Sequence, residues 1–181
     1  MVEVVGKFEK ISLEQWHKDY GDDSAGEDDK TLEDIPMPKR SSVGSAGYDI
    51  HTPFAFTLKP GEEVKVATGL KCKMKDGWFL MAVPRSGLGF KYYTRLANTV
   101  GIIDASYYNN ESNEGHMFVK IRNEGDKDVV VEKFDRICQM IFVPFGITED
   151  DNTSAERTGG FGSSGKWWKE DVIDYISILE K

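Results

Sequence analysis

Residues 63–66 read Glu-Val-Lys-Val and residues 70–74 read Leu-Lys-Cys-Lys-Met, so apolar and charged side chains alternate through both segments. This period of two is typical of a β-strand with one buried and one exposed face. Further predicted strands, rich in β-branched and aromatic residues, are 79–83, 117–121, 129–131 and 137–143. Turn-forming residues lie between them at Pro60-Gly61, Asp76-Gly77 and 123–126. Since residues 40–145 contain no convincing helical period, the chain is predicted to be all-β, as a sandwich, a barrel or a jelly roll.

An insertion over residues 12–34 interrupts this pattern near the N-terminus. Ser12 is the predicted N-cap of a short helix, which carries three apolar residues on one side. These residues are Leu13, Trp16 and Tyr20. The acidic run over residues 21–29 is most simply a solvated loop.

The C-terminal part is polar and rich in glycine from residue 148 to residue 166. Two interpretations stay open: a flexible linker, or a mobile arm in which Arg157 and Phe161 close over a ligand with phosphates and a base. Residues 167–181 have apolar residues at helix-like spacing, which suggests a C-terminal helix. With 181 residues, the chain is long enough for one sizeable core and too short for two, so residues 1–181 are predicted to form a single domain.

The composition argues against several classes of function. A net charge of -8 argues against binding to nucleic acid, which needs a basic surface, so phosphates would have to meet a few local cations or a metal ion. No apolar run approaches the roughly 20 residues of a membrane helix. Cys72 and Cys138 lie in predicted strands and are interpreted as buried free thiols. Because the N-terminus also lacks the apolar stretch of a secretory signal, the expected location is the cytoplasm.

Two short segments combine small residues with groups that bind phosphate or metal. Asp49 ends the small-residue segment 44–49, where a carboxylate is usually structural but can also orient water on a magnesium ion. Arg85, Ser86 and Gly87 follow an apolar strand. A guanidinium, a hydroxyl and a backbone amide together can cradle phosphate, although the same residues also form ordinary turns.

The segment 98–107 is the most specific candidate site. Asn98 begins an Asn-x-x-Gly bend, and its amide can match a base edge that offers both a donor and an acceptor. Asp104 comes directly after Ile102 and Ile103, so we expect an apolar setting in which an unpaired carboxylate is costly. Such an acid is either paired structurally or acts as a general base.

A further polar segment opens the strand that contains Gln139. For Asp135 and Arg136, an ion pair that holds the strand end is favoured over direct ligand roles. The histidines lack metal-ligand spacing, and no P-loop, dinucleotide-binding or nucleophile-elbow motif is present. These histidines are His17, His51 and His116.

Five motifs of this chain resemble, in order and near spacing, the motif series of the trimeric dUTPases. They are Ala-Gly-Tyr-Asp at 46–49, Pro-Arg-Ser-Gly-Leu at 84–88, Gly-Ile-Ile-Asp at 101–104 with Tyr107, Asp-Arg-Ile-Cys-Gln at 135–139, and Arg157 with Gly-Gly-Phe-Gly-Ser-Ser-Gly at 159–165. The resemblance covers roughly residues 40–166 and implies a distorted jelly-roll or β-barrel subunit, a homotrimer with shared active sites, and Mg2+ on the triphosphate. The implied reaction is hydrolysis of dUTP to dUMP and pyrophosphate, which limits uracil incorporation into DNA and supplies dUMP for thymidylate synthesis.

The resemblance also implies a role for each matched residue. Asp104 would hold and deprotonate the water that attacks the α-phosphorus, and Asp49 would contact Mg2+ through its water shell. The residues implied to lie at the phosphates are Arg85, Ser86, Gly87 and Gln139.

The implied contacts to the nucleoside come from the third motif and from the arm. Asn98 and the hairpin backbone would read uracil, and Tyr107 would press on the deoxyribose and exclude a 2′-hydroxyl. The hairpin residues are Gly101, Ile102 and Ile103. Phe161 would stack on uracil, and Arg157 together with the amides of Ser163, Ser164 and Gly165 would close on the γ-phosphate. Gly162 is a further residue of the arm that is expected to bind substrate.

The chain departs from the family pattern in several places. After Tyr107 the connection over residues 108–115 is longer than usual, Phe134 stands where glycine is usual, and Arg157 is one residue closer to the double glycine. The insertion and the tail over 167–181 have no counterpart in the minimal family.

Two alternatives stay open. A dCTP deaminase-like enzyme should carry Arg-Ser-Ser in the second motif, where this chain has Arg-Ser-Gly at 85–87. A dUTP-dependent regulatory binding protein would use the 12–34 insertion as its partner surface, and that role could coexist with catalysis.

Overall fold

The computed structural model describes residues 2–20, 27–154 and 159, and this part of the chain is mostly β-strand, as predicted. The strands are β1 (Gly6–Lys10), β2 (Lys39–Arg40), β3 (Tyr48–His51), β4 (Phe56–Leu58), β5 (Glu63–Ala67), β6 (Leu70–Met74), β7 (Trp78–Pro84), β8 (Thr94–Leu96), β9 (Gly101–Asp104), β10 (Phe118–Asn123), β11 (Val129–Val131) and β12 (Arg136–Pro144). The helices are α1 (Leu13–Tyr20), α2 (Glu27–Asp34) and α3 (Ser86–Tyr92), and a 3-10 turn covers Ala105–Tyr107.

Every strand pair in the described ranges is antiparallel, and the sheet order brings distant motifs together. The largest sheet has the order β2-β3-β12-β7-β9, so β12 lies between β3 and β7. The first, second and fourth motifs therefore meet at neighbouring strand ends, although many residues separate them along the chain. The smaller sheets are β5-β10-β8, β1-β6 and β11-β4.

The core confirms the alternation from which the strands were predicted. In β6, Leu70 and Cys72 are buried while Lys73 is exposed. β6 and β11 have the predicted bounds, and the other predicted strands shift by no more than two residues at either end. Cys72 and Cys138 are free and buried, as predicted, and burial raises the pKa of both thiols to about 12.

Helix α3 shows that the expectation of no helix between residues 40 and 145 was wrong. Arg85 keeps an extended backbone and precedes the helix, while Tyr93 adopts a left-handed φ of 54° and ends it. The helix has seven residues, and two of them, Gly87 and Gly89, are weak helix formers. A segment so short and so rich in glycine leaves no helical period in the sequence.

The described residues of the insertion, 12–20 and 27–34, form two short helices that pack on the sheet. The Ser12 hydroxyl accepts a hydrogen bond from the Gln15 N–H at 3.1 Å, which confirms the predicted N-cap of α1. Trp16 is fully buried and stacks on Tyr20, with ring centroids 4.4 Å apart. Leu13, however, is 42% exposed and does not share the buried side. The acidic run is also not wholly a loop, because α2 begins at Glu27.

The backbone conformation at Phe134 is one that favours glycine. Its φ is 68°, in the left-handed region that glycine enters without a steric cost. The partly buried ring packs against the cluster formed by the insertion and Ala67. We infer that this packing offsets the backbone strain, since burying a phenylalanine contributes about 1.5–3 kcal/mol and a left-handed residue costs about 1–2 kcal/mol.

His116 lies in the interior between α1 and the sheet. Its side chain is fully buried, its Nδ1 lies 2.6 Å from Asp19 Oδ2, and its Nε2 accepts a hydrogen bond from the Gly69 N–H at 2.9 Å. An acceptor at Nε2 places the single proton of the neutral ring on Nδ1, where it faces Asp19. Burial lowers the pKa of His116 below 6.5, although Asp19 acts in the opposite direction.

This lowered pKa predicts that stability falls in mild acid. A proton binds the unfolded histidine more readily than the folded one, so the contribution of the neutral ring is lost as the pH falls below about 6.5. We expect the wild-type Tm to drop more between about pH 7.5 and about pH 5.5 than the Tm of a His116→Gln variant. Calorimetry at fixed protein concentration measures both, and equal drops would contradict the assignment.

No helix in the described part of the chain has the length and apolar character needed to cross a bilayer. The C-terminal helix suggested for residues 167–181 lies outside the described residues.

Candidate functional site

The ends of β3, β7 and β12 gather the polar residues of three motifs. Asp49 pairs in register with Gln139, which in turn pairs with Val83 near the end of β7. The Asp49 carboxylate is bound on both sides: Oδ1 lies 2.9 Å from Arg85 Nε, and Oδ2 lies 3.4 Å from Arg136 Nη1. The side chain of Asp49 is only 15% exposed, which strengthens its attraction to the two cations.

Gln139 is held next to this cluster. Its Nε2 donates a hydrogen bond to the Pro84 carbonyl at 3.2 Å. A Cβ placed on Gly47 would lie 2.2 Å from Gln139 Oε1, so any larger residue would displace the amide. The glycine of the first motif thus leaves the space that the glutamine of the fourth motif occupies.

The second motif presents donors at the start of α3. Ser86 and Gly87 are exposed in the first turn, where backbone N–H groups have no partner within the helix. Such groups, together with the Arg85 guanidinium, suit an anionic ligand. An open cavity of about 570 Å³ lies here, lined by Pro84, Arg85, Ser86, Gly89, Phe90, Tyr93 and Thr94.

The third motif forms a separate cavity. The bend between β8 and β9 is tight: Thr99 has a φ of 65°, and the Val100 N–H donates to the Asn98 carbonyl at 2.7 Å. A cavity of about 360 Å³ opens beside it, lined mainly by apolar groups with one amide and two lysines. Four predicted site residues line this cavity, namely Asn98, Gly101, Ile102 and Ile103. Its size and the single amide suit a planar base.

Asp104 lies at the end of β9 and is exposed in the single chain, which corrects the expectation of an apolar setting. Ile102 is also 57% exposed, and Ile103 alone packs against the core. The two isoleucines alternate across the strand, so they do not enclose the carboxylate that follows them. Asp104 remains a candidate base because of its place in the motif and not because of burial.

The single chain keeps Asp104 away from the second motif. Asp104 pairs with Phe79, whereas Arg85 follows Pro84 at the other end of the same strand. At about 3.3 Å per residue, the interval from Phe79 to Pro84 spans roughly 17 Å. One α-phosphate cannot contact both residues of the same chain over that distance.

Tyr107 is nearly enclosed, with 4% of its surface exposed. Its hydroxyl donates to the His116 carbonyl at 2.9 Å and accepts from Asn113 Nδ2 at 2.7 Å. The ring therefore has a fixed position, and only a small part of it is open to a sugar in this chain.

The residues predicted for the arm lie outside the described residues. They are Arg157, Phe161, Gly162, Ser163 and Ser164.

The partner of Arg136 differs from the one expected from the sequence. Arg136 was expected to pair with Asp135, but it contacts Asp49, while Asp135 Oδ2 accepts the Glu132 N–H at 2.9 Å. The lysines beside the third-motif cavity, Lys65 and Lys120, were also missed. In each case the signal lies in the strand pairing, which the linear sequence does not reveal.

Known proteins resemble this chain across most of its length. The dUTPase family profile matches residues 33–165. The deoxyuridine 5'-triphosphate nucleotidohydrolase of Lactococcus lactis subsp. lactis is 47% identical over 133 residues, which are 72% of this chain and 89% of the relative.

Solved structures agree with this similarity. The crystal structure of dUTPase from Streptococcus mutans is 36% identical, with a TM-score of 0.61, and the alignment covers 78% of this chain and 98% of that one. A mutant dUTPase from phage phi11 of Staphylococcus aureus, described as coordinating a structural Mg(II) ion, has a TM-score of 0.56 at 21% identity. That alignment covers 68% of this chain and 92% of the phage protein, and it supports the jelly-roll-like fold alone.

Proposed function

The chain belongs to the dUTPase family and hydrolyses dUTP, and from this premise we propose that each active site is assembled from more than one copy of the chain. The observation that carries the proposal is the position of Asp104 beside Phe79, while Arg85 follows Pro84, roughly 17 Å farther along β7. A neighbouring copy can bring its own second motif to Asp104. A closed ring of identical subunits repeats such a contact, and we propose that the ring is a homotrimer.

In the proposed mechanism Asp104 activates water. Its exposed carboxylate accepts a proton from the water that attacks the α-phosphorus, and pyrophosphate leaves. Arg85 donates hydrogen bonds to phosphate oxygens, and the N–H groups of Ser86 and Gly87 add uncharged donors beside it. The thiol of Cys138 takes no part, because burial holds it in the neutral form.

The residues around Asp49 fit Mg2+ as a hydrated ion. Arg85 and Arg136 already bind the two oxygens of Asp49, so direct coordination would have to displace a guanidinium. In the described part of the chain, no group of three or more metal-ligating residues is present. Mg2+ commonly keeps several waters and binds through one or two carboxylates and substrate phosphates. We propose that Asp49 contacts this water shell, and that the ion, when bound, neutralises charge on the triphosphate.

The third-motif cavity is proposed to select uracil. Asn98 supplies an amide that can donate and accept, and the backbone at Gly101 is close to β7, since a Cβ there would make a tight contact of 3.0 Å with Ala82 Cβ. Cys72 and Cys138 are both free thiols, which is typical of proteins in a reducing compartment. We propose that the protein acts in the cytoplasm.

The substrate preference provides the direct test of function. We expect kcat/KM for dUTP to exceed that for dCTP, UTP and dTTP by roughly 10²-fold or more. Cytosine reverses the donor and the acceptor that uracil offers to Asn98, the tight bend between β8 and β9 should exclude the thymine methyl, and Tyr107 should exclude the 2′-hydroxyl of UTP. Pyrophosphate release from each nucleotide measures the ratios, with Asn98→Ala as the variant that should reduce the preference over dCTP. Comparable turnover of dCTP or UTP would contradict the proposal.

Mixing two inactive variants tests the shared site. If Asp104 and Arg85 come from different subunits, Asp104→Ala and Arg85→Ala chains that are unfolded and refolded together at equal amounts should form some intact sites. Random assembly would restore roughly one quarter of the wild-type sites. Each variant refolded alone is the control. No recovery from a mixed oligomer would show that both residues serve one chain's own site.

A further inference from the structure

The insertion and the long connection after the third motif are bound to each other. The Ser12 hydroxyl and N–H, at the start of α1, both donate to the Glu114 carboxylate. Lys18 Nζ, near the end of α1, donates to the Ser112 carbonyl at 3.0 Å. Two parts of the chain that depart from the dUTPase pattern are therefore structural partners, since both ends of α1 contact the connection over residues 108–115.

Asp19, in α1, contacts the buried side chain of His116. Its Oδ2 lies 2.6 Å from His116 Nδ1 and also accepts a hydrogen bond from Gln15 Nε2 at 2.6 Å. Because the Gly69 N–H binds the other ring nitrogen at 2.9 Å, His116 is held between the insertion and the sheet. The ring also lies 4.4 Å from the Phe118 ring, so it has little freedom to turn.

The backbone of His116 continues this contact to the third motif. Its carbonyl accepts the Tyr107 hydroxyl at 2.9 Å. Asn113 Nδ2 donates to the same hydroxyl at 2.7 Å, and Asn110 Nδ2 donates to the Tyr107 carbonyl at 2.8 Å. Tyr107 ends the 3-10 turn that begins directly after Asp104. A chain of named contacts thus joins α1 to the residue proposed to activate water.

We propose that Asp19 is a positioning residue for dUTP hydrolysis, which through His116 and Tyr107 fixes the 3-10 turn that directly follows Asp104. This inference rests on the proposed role of Asp104. A catalytic group must stay within about 0.5 Å of its productive position, and a long connection directly after the motif would otherwise leave the turn without a rigid support. The insertion supplies that support from outside the five motifs.

The experiment compares Asp19→Ala with Asp19→Asn in the full-length chain. One oxygen, Oδ2, accepts both hydrogen bonds, so asparagine can replace aspartate with its single carbonyl oxygen. Lys75→Ala is the control, because it removes a surface ion pair with Glu3 (2.8 Å) that has no contact with the third motif. Titration with a non-hydrolysable dUTP analogue counts folded sites, so kcat is expressed per binding site.

We expect Asp19→Ala to lower kcat per site by roughly tenfold or more, with KM and analogue affinity within about threefold of wild type. Asp19→Asn should restore kcat to within about threefold, and Lys75→Ala should match wild type. Unchanged kcat per site in Asp19→Ala would overturn the proposal, because a merely structural role changes the number of folded sites and not their turnover. Failure of Asp19→Asn to restore kcat would overturn it as well.

Asp104→Ala, assayed in parallel, separates this inference from the function on which it rests. If Asp104→Ala retains wild-type kcat, the assignment of the base is wrong. If Asp104→Ala loses kcat while Asp19→Ala does not, the base stands and the positioning role alone is overturned.

Discussion

Replacing Asp104 with alanine should lower kcat for dUTP by roughly 10²–10⁴ while the oligomer and nucleotide binding persist. The expected loss is large because a positioned base acts on the attacking water itself. Binding should survive because Asp104 is exposed at the end of β9, where its removal leaves no cavity in the core. Single-turnover pyrophosphate release and analogue binding measure the two properties separately.

Asp126→Ala is a suitable matched control for this variant. It removes another exposed carboxylate, which lies in the turn between β10 and β11. We expect this variant to match wild type within about twofold, since surface substitutions outside special sites are nearly neutral. Turnover by Asp104→Ala near the wild-type value, with its magnesium dependence intact, would mean that another residue activates the water.

Deleting residues 157–181 should reduce kcat/KM by roughly 10²-fold or more, since it removes the stacking proposed for Phe161 and the charged contact proposed for Arg157. Base–aromatic stacking contributes about 1–3 kcal/mol, and a hydrogen bond to a charged group about 1.5–3 kcal/mol. Both residues belong to the fifth motif, for which we propose a closing role over bound dUTP.

The shorter deletion of residues 167–181 is the control, because it leaves the fifth motif complete. We expect this truncated chain to keep wild-type kcat/KM. Equal activity of the two truncated chains would show that residues 148–166 serve only as a linker, and equal loss would assign the effect to the tail.

The strands could be predicted because their signal is local. In β6 apolar and charged residues alternate in the sequence itself, whereas β11 was predicted from a run of three β-branched valines. Both strands have the predicted bounds. β1 was not predicted, because most of its residues are half-buried and its sequence shows no clear alternation of apolar and polar residues. Its pairing with β6 defines it as a strand. Helix α3 was not predicted, because it is short and contains two glycines, so its sequence shows no helical period.

The motifs predicted which residues belong to the candidate site, but they did not predict the contacts between those residues. The sequence identified Asp49 and Arg85, and the structure places them 2.9 Å apart. The sequence alone did not identify Arg136 as the second partner of Asp49, because that contact depends on β12 lying beside β3. The environment of Asp104 was misjudged for a related reason: its hydrophobic neighbours in sequence point to different faces of the strand.

The left-handed backbone at Phe134 limits how far this protein can be shortened by deleting the 12–34 insertion. The insertion covers the Phe134 ring, Phe118 and Ala67, so its removal would expose a contiguous apolar surface and leave the strained residue without the burial that offsets it. A shortened chain would therefore need glycine at position 134 and polar residues on the uncovered face. For the same reason, α1 and α2 cannot be grafted onto a smaller relative by themselves, because Phe134, His116 and the 108–115 connection must be transplanted with them as one unit.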